Sequence, residues 1–354
     1  MRHRFLVSMI VMLAFIATVA LTPAPMAGQA PKAAAPAKKT ATAAKAWTPP
    51  KTPWGDPDLQ GVYTSDDYIG AGLQRNPQFG DRLYLSDEEI AQREATIANQ
   101  AKTDLIDTVS ANQRAGTGPP GHWGERARRP PRQTSLIVDP PNGRIPDVLP
   151  EAARRPVPFG AGVADPNPAS WEDFSYYIRC ITRGVAGSIL PVIYGNGTQI
   201  VQAPGVVTLL QEMVHEARVI PLDGRPHAGP NIRTYMGDSR GHFEGNTLVV
   251  ETTNFLDRKT AVQGGNGGAG PPTTDAMRLL EKFTKVAPDT IKYELTIDDP
   301  KTYTRPWTVS FPIVQEPGYQ NFEYACHEGN YAMFNSLSGA RAQEKQAEEA
   351  AKKQ

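Results

Sequence analysis

VVTLLQEMVHEARVI (residues 206–220) and GDSRGHFEGNTLVVETTNF (residues 237–255) decide the fold. Apolar and polar residues alternate through both, the pattern of strands that rest one face on a core. In the second stretch EGN stands between SRGHF and a β-branched run and marks a hairpin turn, since Gly and Asn tolerate the backbone a tight turn needs. The same block carries histidines, arginines and carboxylates. Polar groups set in a half-buried sheet need partners, so this block is also where a site is expected.

Working outward, residues 176–181, 199–203, 291–297, 307–314 and 322–326 read as further short strands, which makes seven with hairpin-length gaps. Such a series forms an antiparallel meander, closed as a barrel or folded as a sandwich. Ile291, Tyr293, Leu295 and Ile297 make one clean apolar face, and Trp307, Val309, Phe311 and Ile313 another, so these two strands are walls of the core. TTDAMRLLEKFTKV (residues 273–286) places Met277, Leu280 and Phe283 on one helical face and predicts a single helix that lids the barrel. The expectation is a mainly β protein with its barrel in residues 171–336.

Residues 54–170 form an irregular N-terminal wrap rich in Pro and Gly. Within it, DPDLQGVYT reads as a turn and a short strand, and SLIVDP (residues 135–140) as strand-like. Ser86 and Glu89 make a capping box ahead of a surface helix. Residues 28–53 are an Ala, Pro and Lys tether, and residues 337–354 are a charged, Ala-rich tail, either a solvated helix or unstructured.

The N-terminus has a basic start (Arg2, Arg4), an apolar stretch from Phe5 to Leu21 and then small residues, as in a secretory signal peptide over residues 1–27. A periplasmic or secreted location follows, with no membrane insertion after cleavage. Lys plus Arg and Asp plus Glu number 37 each, so nothing points to nucleic acid. RARRPPR (residues 126–132) is the one basic cluster and reads as a solvated loop. Cys180 and Cys326 are the only cysteines. In an oxidising compartment they pair as a disulfide, the alternative being two separate buried thiols.

Strand alternation through residues 206–220 puts Val207, Leu209, Gln211, Met213, His215, Ala217 and Val219 on one face. The other face carries Glu212, Glu216 and Arg218 and is the expected solvent face, so His215 is expected inward beside Gln211 and Met213. His215, Glu251 and Arg218 are therefore the candidate catalytic residues, with the histidine as acid/base or hydrogen-bond donor. Gln211, Met213, Asp238, Arg240, Asn254 and His327 are the candidate ligand contacts. Asp238 and Arg240 can equally form a structural ion pair, and Glu251 either a buried carboxylate or a surface cross-strand pair. The expected ligand is a small apolar or aromatic molecule. No HExxH, CxxC, GxSxG, P-loop or dinucleotide motif occurs, so neither a metal nor a cofactor is expected.

DPDLQGVYT, SLIVDPPNGRIP, RCITRG, QIVQAPG, EMVHEARVIPLDGRPH, MGDSRGHFEGNTLVVETTNF, LLEKFT, DDPKTYTRPWTV and YACHEGNY together resemble a large family of secreted proteins of environmental bacteria. The likeness runs from about Trp54 to Arg341, and the family carries no reaction to transfer. Its alternation of strands also looks like a lipocalin-type or nitrobindin-like barrel, an architectural likeness only. The resemblance implies export and leaves open whether the protein is an enzyme or a non-enzymatic protein of the cell envelope.

Overall fold

The computed structural model describes residues 47–104, 125, 127–155, 168–256 and 273–353. The signal sequence, most of the tether and the glycine-rich residues 264–270 lie outside them. Ten strands form one sheet: β1 (Gly61–Thr64), β2 (Ile137–Asp139), β3 (Thr198–Ala203), β4 (Val206–Gln211), β5 (Ala217–Pro221), β6 (Asp238–Glu244), β7 (Thr247–Thr253), β8 (Arg278–Ala287), β9 (Thr290–Asp298) and β10 (Trp307–Gln315). The helices are α1 (Asp87–Asp104), the short α2 (Pro150–Ala153) and α3 (Gly184–Gly187), and α4 (Ala332–Ala351).

Nine strands run in the order β5-β4-β3-β1-β10-β9-β8-β7-β6, every ladder is antiparallel, and the sheet curls into a nearly closed barrel. With an odd number of alternating strands, the two edges, β5 and β6, point the same way where they meet. That seam has no ladder among the described residues. Side chains close it: a Cβ on Gly241 of β6 would lie 2.8 Å from Ile220 Cγ2 and 2.9 Å from Leu222 Cδ2, so any larger residue there would push these side chains aside.

Tight turns set the registers. Pro204-Gly205 joins β3 to β4, and Gly245-Asn246 joins β6 to β7, with Gly205 and Gly245 at φ 76° and 59°. The hairpin read from EGN is as expected. The capping box is too: Ser86 N–H donates to Glu89 Oε2 at 2.7 Å and Glu89 N–H to Ser86 Oγ at 3.3 Å, ahead of the largely exposed α1. The wrap contributes strands of its own. β1 pairs with both β3 and β10, and β2 pairs with the other end of the same β10 edge. The barrel therefore extends beyond residues 171–336.

The lid helix expected over residues 273–286 is corrected: residues 278–287 are β8, paired with both β7 and β9. Leu279, Glu281, Phe283 and Lys285 alternate inward, and Leu279 and Phe283 fit a helical stripe as well as a strand face. Residues 176–180 are turn and 322–325 irregular rather than strands, and the charged tail is helical as part of α4. Inside the barrel Trp307, Tyr63, Tyr293, Phe283 and Phe311 are all at most 1% exposed, so its centre is filled by side chains. Each such burial contributes roughly 1.5–3 kcal/mol.

Candidate functional site

One local backbone event rearranges the predicted site. After β4 the chain makes a 3-10 turn over Met213–His215, with Val214 and His215 at φ 64° and 44°. Gln211 N–H donates to the Glu216 carbonyl at 2.8 Å and Glu212 N–H to the Gly197 carbonyl at 2.9 Å, fixing the turn. The turn shifts the strand phase by one residue, and a one-residue slip exchanges the faces. Val207, Leu209 and Gln211 are inward in β4, whereas Arg218 and Ile220 are inward in β5.

His215, expected inward, is therefore exposed, and its Nδ1 donates to the Tyr324 carbonyl at 3.2 Å. Arg218, expected toward solvent, lies inside the barrel. Its Nη1 and Nη2 donate to the two oxygens of Glu281 at 2.7 and 2.9 Å, and Tyr293 OH donates to Glu281 Oε1 at 3.0 Å. Burial alone pulls the Arg218 pKa down, but the facing Glu281 outweighs it and the net shift is upward. The bridge ties β5 to β8 behind the open seam.

Glu212 and Glu216 are also not on a solvent face. Glu212 is buried and receives N–H groups from Gly197 and Phe322 at 3.2 and 3.1 Å, with Tyr319 OH in close contact. Glu216 accepts from Thr182 Oγ1, and burial raises its pKa. Gln211 and Met213 are inward as expected, with structural partners. Thr198 Oγ1 donates to Gln211 Oε1 at 2.8 Å, and Met213 packs on Gly195.

Glu251, Asp238, Arg240 and Asn254 gather at a different place, on the outer side of β6 to β8. His227 joins them, with Nδ1 3.0 Å from Asp238 Oδ2 and Nε2 3.2 Å from Glu251 Oε1. Arg240 pairs with Asp238 Oδ1 at 3.1 Å, and Arg278 Nε donates to Glu251 Oε2 at 2.6 Å. Of the two readings of Glu251, the half-exposed cross-strand pair is the one found. Asn254, at φ 61°, donates from Nδ2 to the carbonyls of Ala228, Gly229 and Ile232. Together these side chains staple the β5–β6 connection to the barrel wall. His327 is exposed in the turn after Cys326. The three candidate catalytic residues are thus on an exposed turn, in the core and on the outer wall.

A different group assembles where β4 ends and β5, β6 and β8 begin. Cys180 and Cys326 are joined as a disulfide, with Cα atoms 5.6 Å apart. The bond ties the turn bearing Tyr177 to the segment bearing Tyr324. The Tyr194 and Tyr324 rings stack at 6.1 Å, with Tyr177 close by. Burial raises the phenol pKa of Tyr177, and that of Tyr324 to about 12. Beneath them Arg183 is only 6% exposed, its guanidinium 5.1 Å from the centre of the Tyr177 ring.

Arg183 lines a cleft with about 290 Å³ of free space, part of it open to solvent. The other walls are Val185 and Ala186 of α3, Tyr235, Phe255 after β7, and Met277 and Leu279 at the start of β8. Next to Tyr194 lies an acidic pocket: Asn196 Nδ2 donates to Asp66 Oδ1 at 2.7 Å and to Glu125 Oε2 at 2.9 Å. Burial and the neighbouring Asp66 push the Glu125 pKa up to about 8. Among the described residues no group of three His, Cys, Asp or Glu side chains is placed to hold a metal ion, and no helix is long and apolar enough to cross a membrane.

Sequence reading gave Arg183 no role, because its surroundings come from residues 177, 194 and 324, far apart in the chain. RCITRG carries the one available signal: an arginine and a glycine three and four residues after a cysteine. No family model matches the chain, nor does any curated protein or solved structure.

Proposed function

We propose that this is an exported binding protein whose cleft beside α3 takes a small, largely apolar molecule. The observation that carries the reading is the cleft itself, whose apolar walls of Val185, Ala186, Phe255, Met277 and Leu279 come from three separate stretches of chain. Binding sites are concave, mostly apolar and built between elements, and this small cleft has that character. The disulfide supports export, since such bonds persist in oxidising compartments. The signal-like N-terminus and the motif resemblance support it too. Binding is preferred to catalysis because His215, Arg218 and Glu251 each have a separate structural partner.

Isothermal titration with benzyl alcohol tests the reading. Saturable binding, abolished by Val185→Trp in a protein that still folds, is the expected result; binding that Val185→Trp leaves intact sinks it. A second reading, a non-enzymatic structural protein of the envelope, is favoured by the staple around His227, where polar residues fasten a connection to the barrel. It predicts loss of stability and no binding change on Asp238→Ala.

A further inference from the structure

Arg183 has a problem that the folded chain does not solve. It is buried, yet Nε has no hydrogen-bond partner and no carboxylate pairs with the guanidinium among the described residues. An arginine cannot shed its proton to escape burial, and an unpaired buried charge is among the costlier features a protein can keep. Tyr177 answers only part of the need: its ring covers one face of the guanidinium, a contact suited to a cation. Of the other buried arginines, Arg218 has both oxygens of Glu281, and Arg75 donates from Nη1 to the Pro141 carbonyl at 2.7 Å. Arg183 instead borders the cleft.

We propose that Arg183 anchors an anion, and that the ligand of the cleft is a small monocarboxylate whose apolar body lies against Val185, Phe255 and Met277. This rests on the cleft being the binding site. The carboxylate supplies the charge and the planar pair of acceptors that a guanidinium fork matches. A single negative charge is favoured because one arginine faces it, while Glu216, Glu212 and Glu125 are carried at the same end of the barrel. The three tyrosines and the disulfide hold the guanidinium in place before the ligand arrives, which lowers the ordering cost of binding.

The test compares benzoate with benzyl alcohol, probes alike in body and different in charge, by isothermal titration on the wild type, Arg183→Met, Arg183→Lys and Val185→Trp. The wild type is expected to prefer benzoate by roughly ten- to hundredfold, the worth of a charge-assisted hydrogen bond. Arg183→Met is expected to abolish that preference, Arg183→Lys to retain part of it, and Val185→Trp to remove both probes. Thermal melts add an independent readout: Arg183→Met melts at or above the wild-type temperature when the charge is kept for a ligand, and below it when the role is structural. Equal binding of both probes by the wild type overturns the anion assignment and leaves the cleft reading standing. Binding of neither overturns both.

Discussion

Replacing Glu281 by leucine isolates the buried ion pair that ties β5 to β8. Glu281 is fully buried and accepts two N–H groups from Arg218 and one O–H from Tyr293. Its removal leaves a guanidinium in the core without its paired carboxylate and a phenol with no acceptor. Breaking one partner of a buried ion pair costs about 3–5 kcal/mol, and for a folded unit of roughly 300 residues that lowers Tm by about 5–8 °C. Arg218→Met combined with Glu281→Leu removes both charges and fills the space with apolar groups. Only the Tyr293 hydroxyl is then stranded, at about 1–3 kcal/mol, so the double variant is more stable than Glu281→Leu alone. Reversible urea unfolding with linear extrapolation measures all three free energies. Additive losses, with the double variant the least stable, would refute the account of a buried pair whose halves need one another.

Cys180→Ser with Cys326→Ser opens a loop of 146 residues. The chain-entropy model puts the loss at about 5 kcal/mol, read by urea unfolding, and binding at the cleft weakens as Tyr177 and Tyr324 lose their tie. Glu125 keeps its proton in the folded state up to about pH 8 but loses it near pH 4.3 when unfolded. Folding therefore takes up a proton between those values, and stability falls as pH rises through that window, by no more than about 1.4 kcal/mol per unit. Glu125→Gln flattens this slope in melts from pH 5 to 8. Asp238→Ala removes an acceptor shared by His227, Ala228 N–H and Arg240. It is expected to cost about 1–3 kcal/mol with benzyl alcohol affinity unchanged, and a changed affinity would place the staple in the site.

The hairpin at residues 238–253, the capping box and the inward faces of β9 and β10 were legible because each rests on local chemistry: a turn dipeptide, an i to i+3 pair, a period of two. What was not legible depended on distant partners or on one unusual residue. Val214 is β-branched, the least expected side chain at φ 64°, and nothing around it announces a turn. From that residue onward every face in β5 is exchanged, which moves Arg218 into the core and His215 out of it. Residues 278–286 read as a helix because Leu279 and Phe283 satisfy both periods; the charge at Glu281 was the dissenting residue, and its partner is 63 positions away. The staple was half legible, with Asp238, Arg240, Glu251 and Asn254 found and His227 overlooked as the residue that joins them. The site at Arg183 was hidden because, Tyr177 apart, what surrounds it is distant in sequence.

The central claim is that the cleft between α3 and the start of β8 is where this protein meets its ligand. Met277 lines that cleft, while Met333 is carried by α4 and lines none of its walls. Methyl-labelled methionine NMR during titration with benzoate reports directly on both. The account predicts a saturable shift of the Met277 methyl with Met333 unmoved, and loss of that shift in Val185→Trp. A Met277 signal that stays fixed while benzoate binds elsewhere, or does not bind, would contradict it.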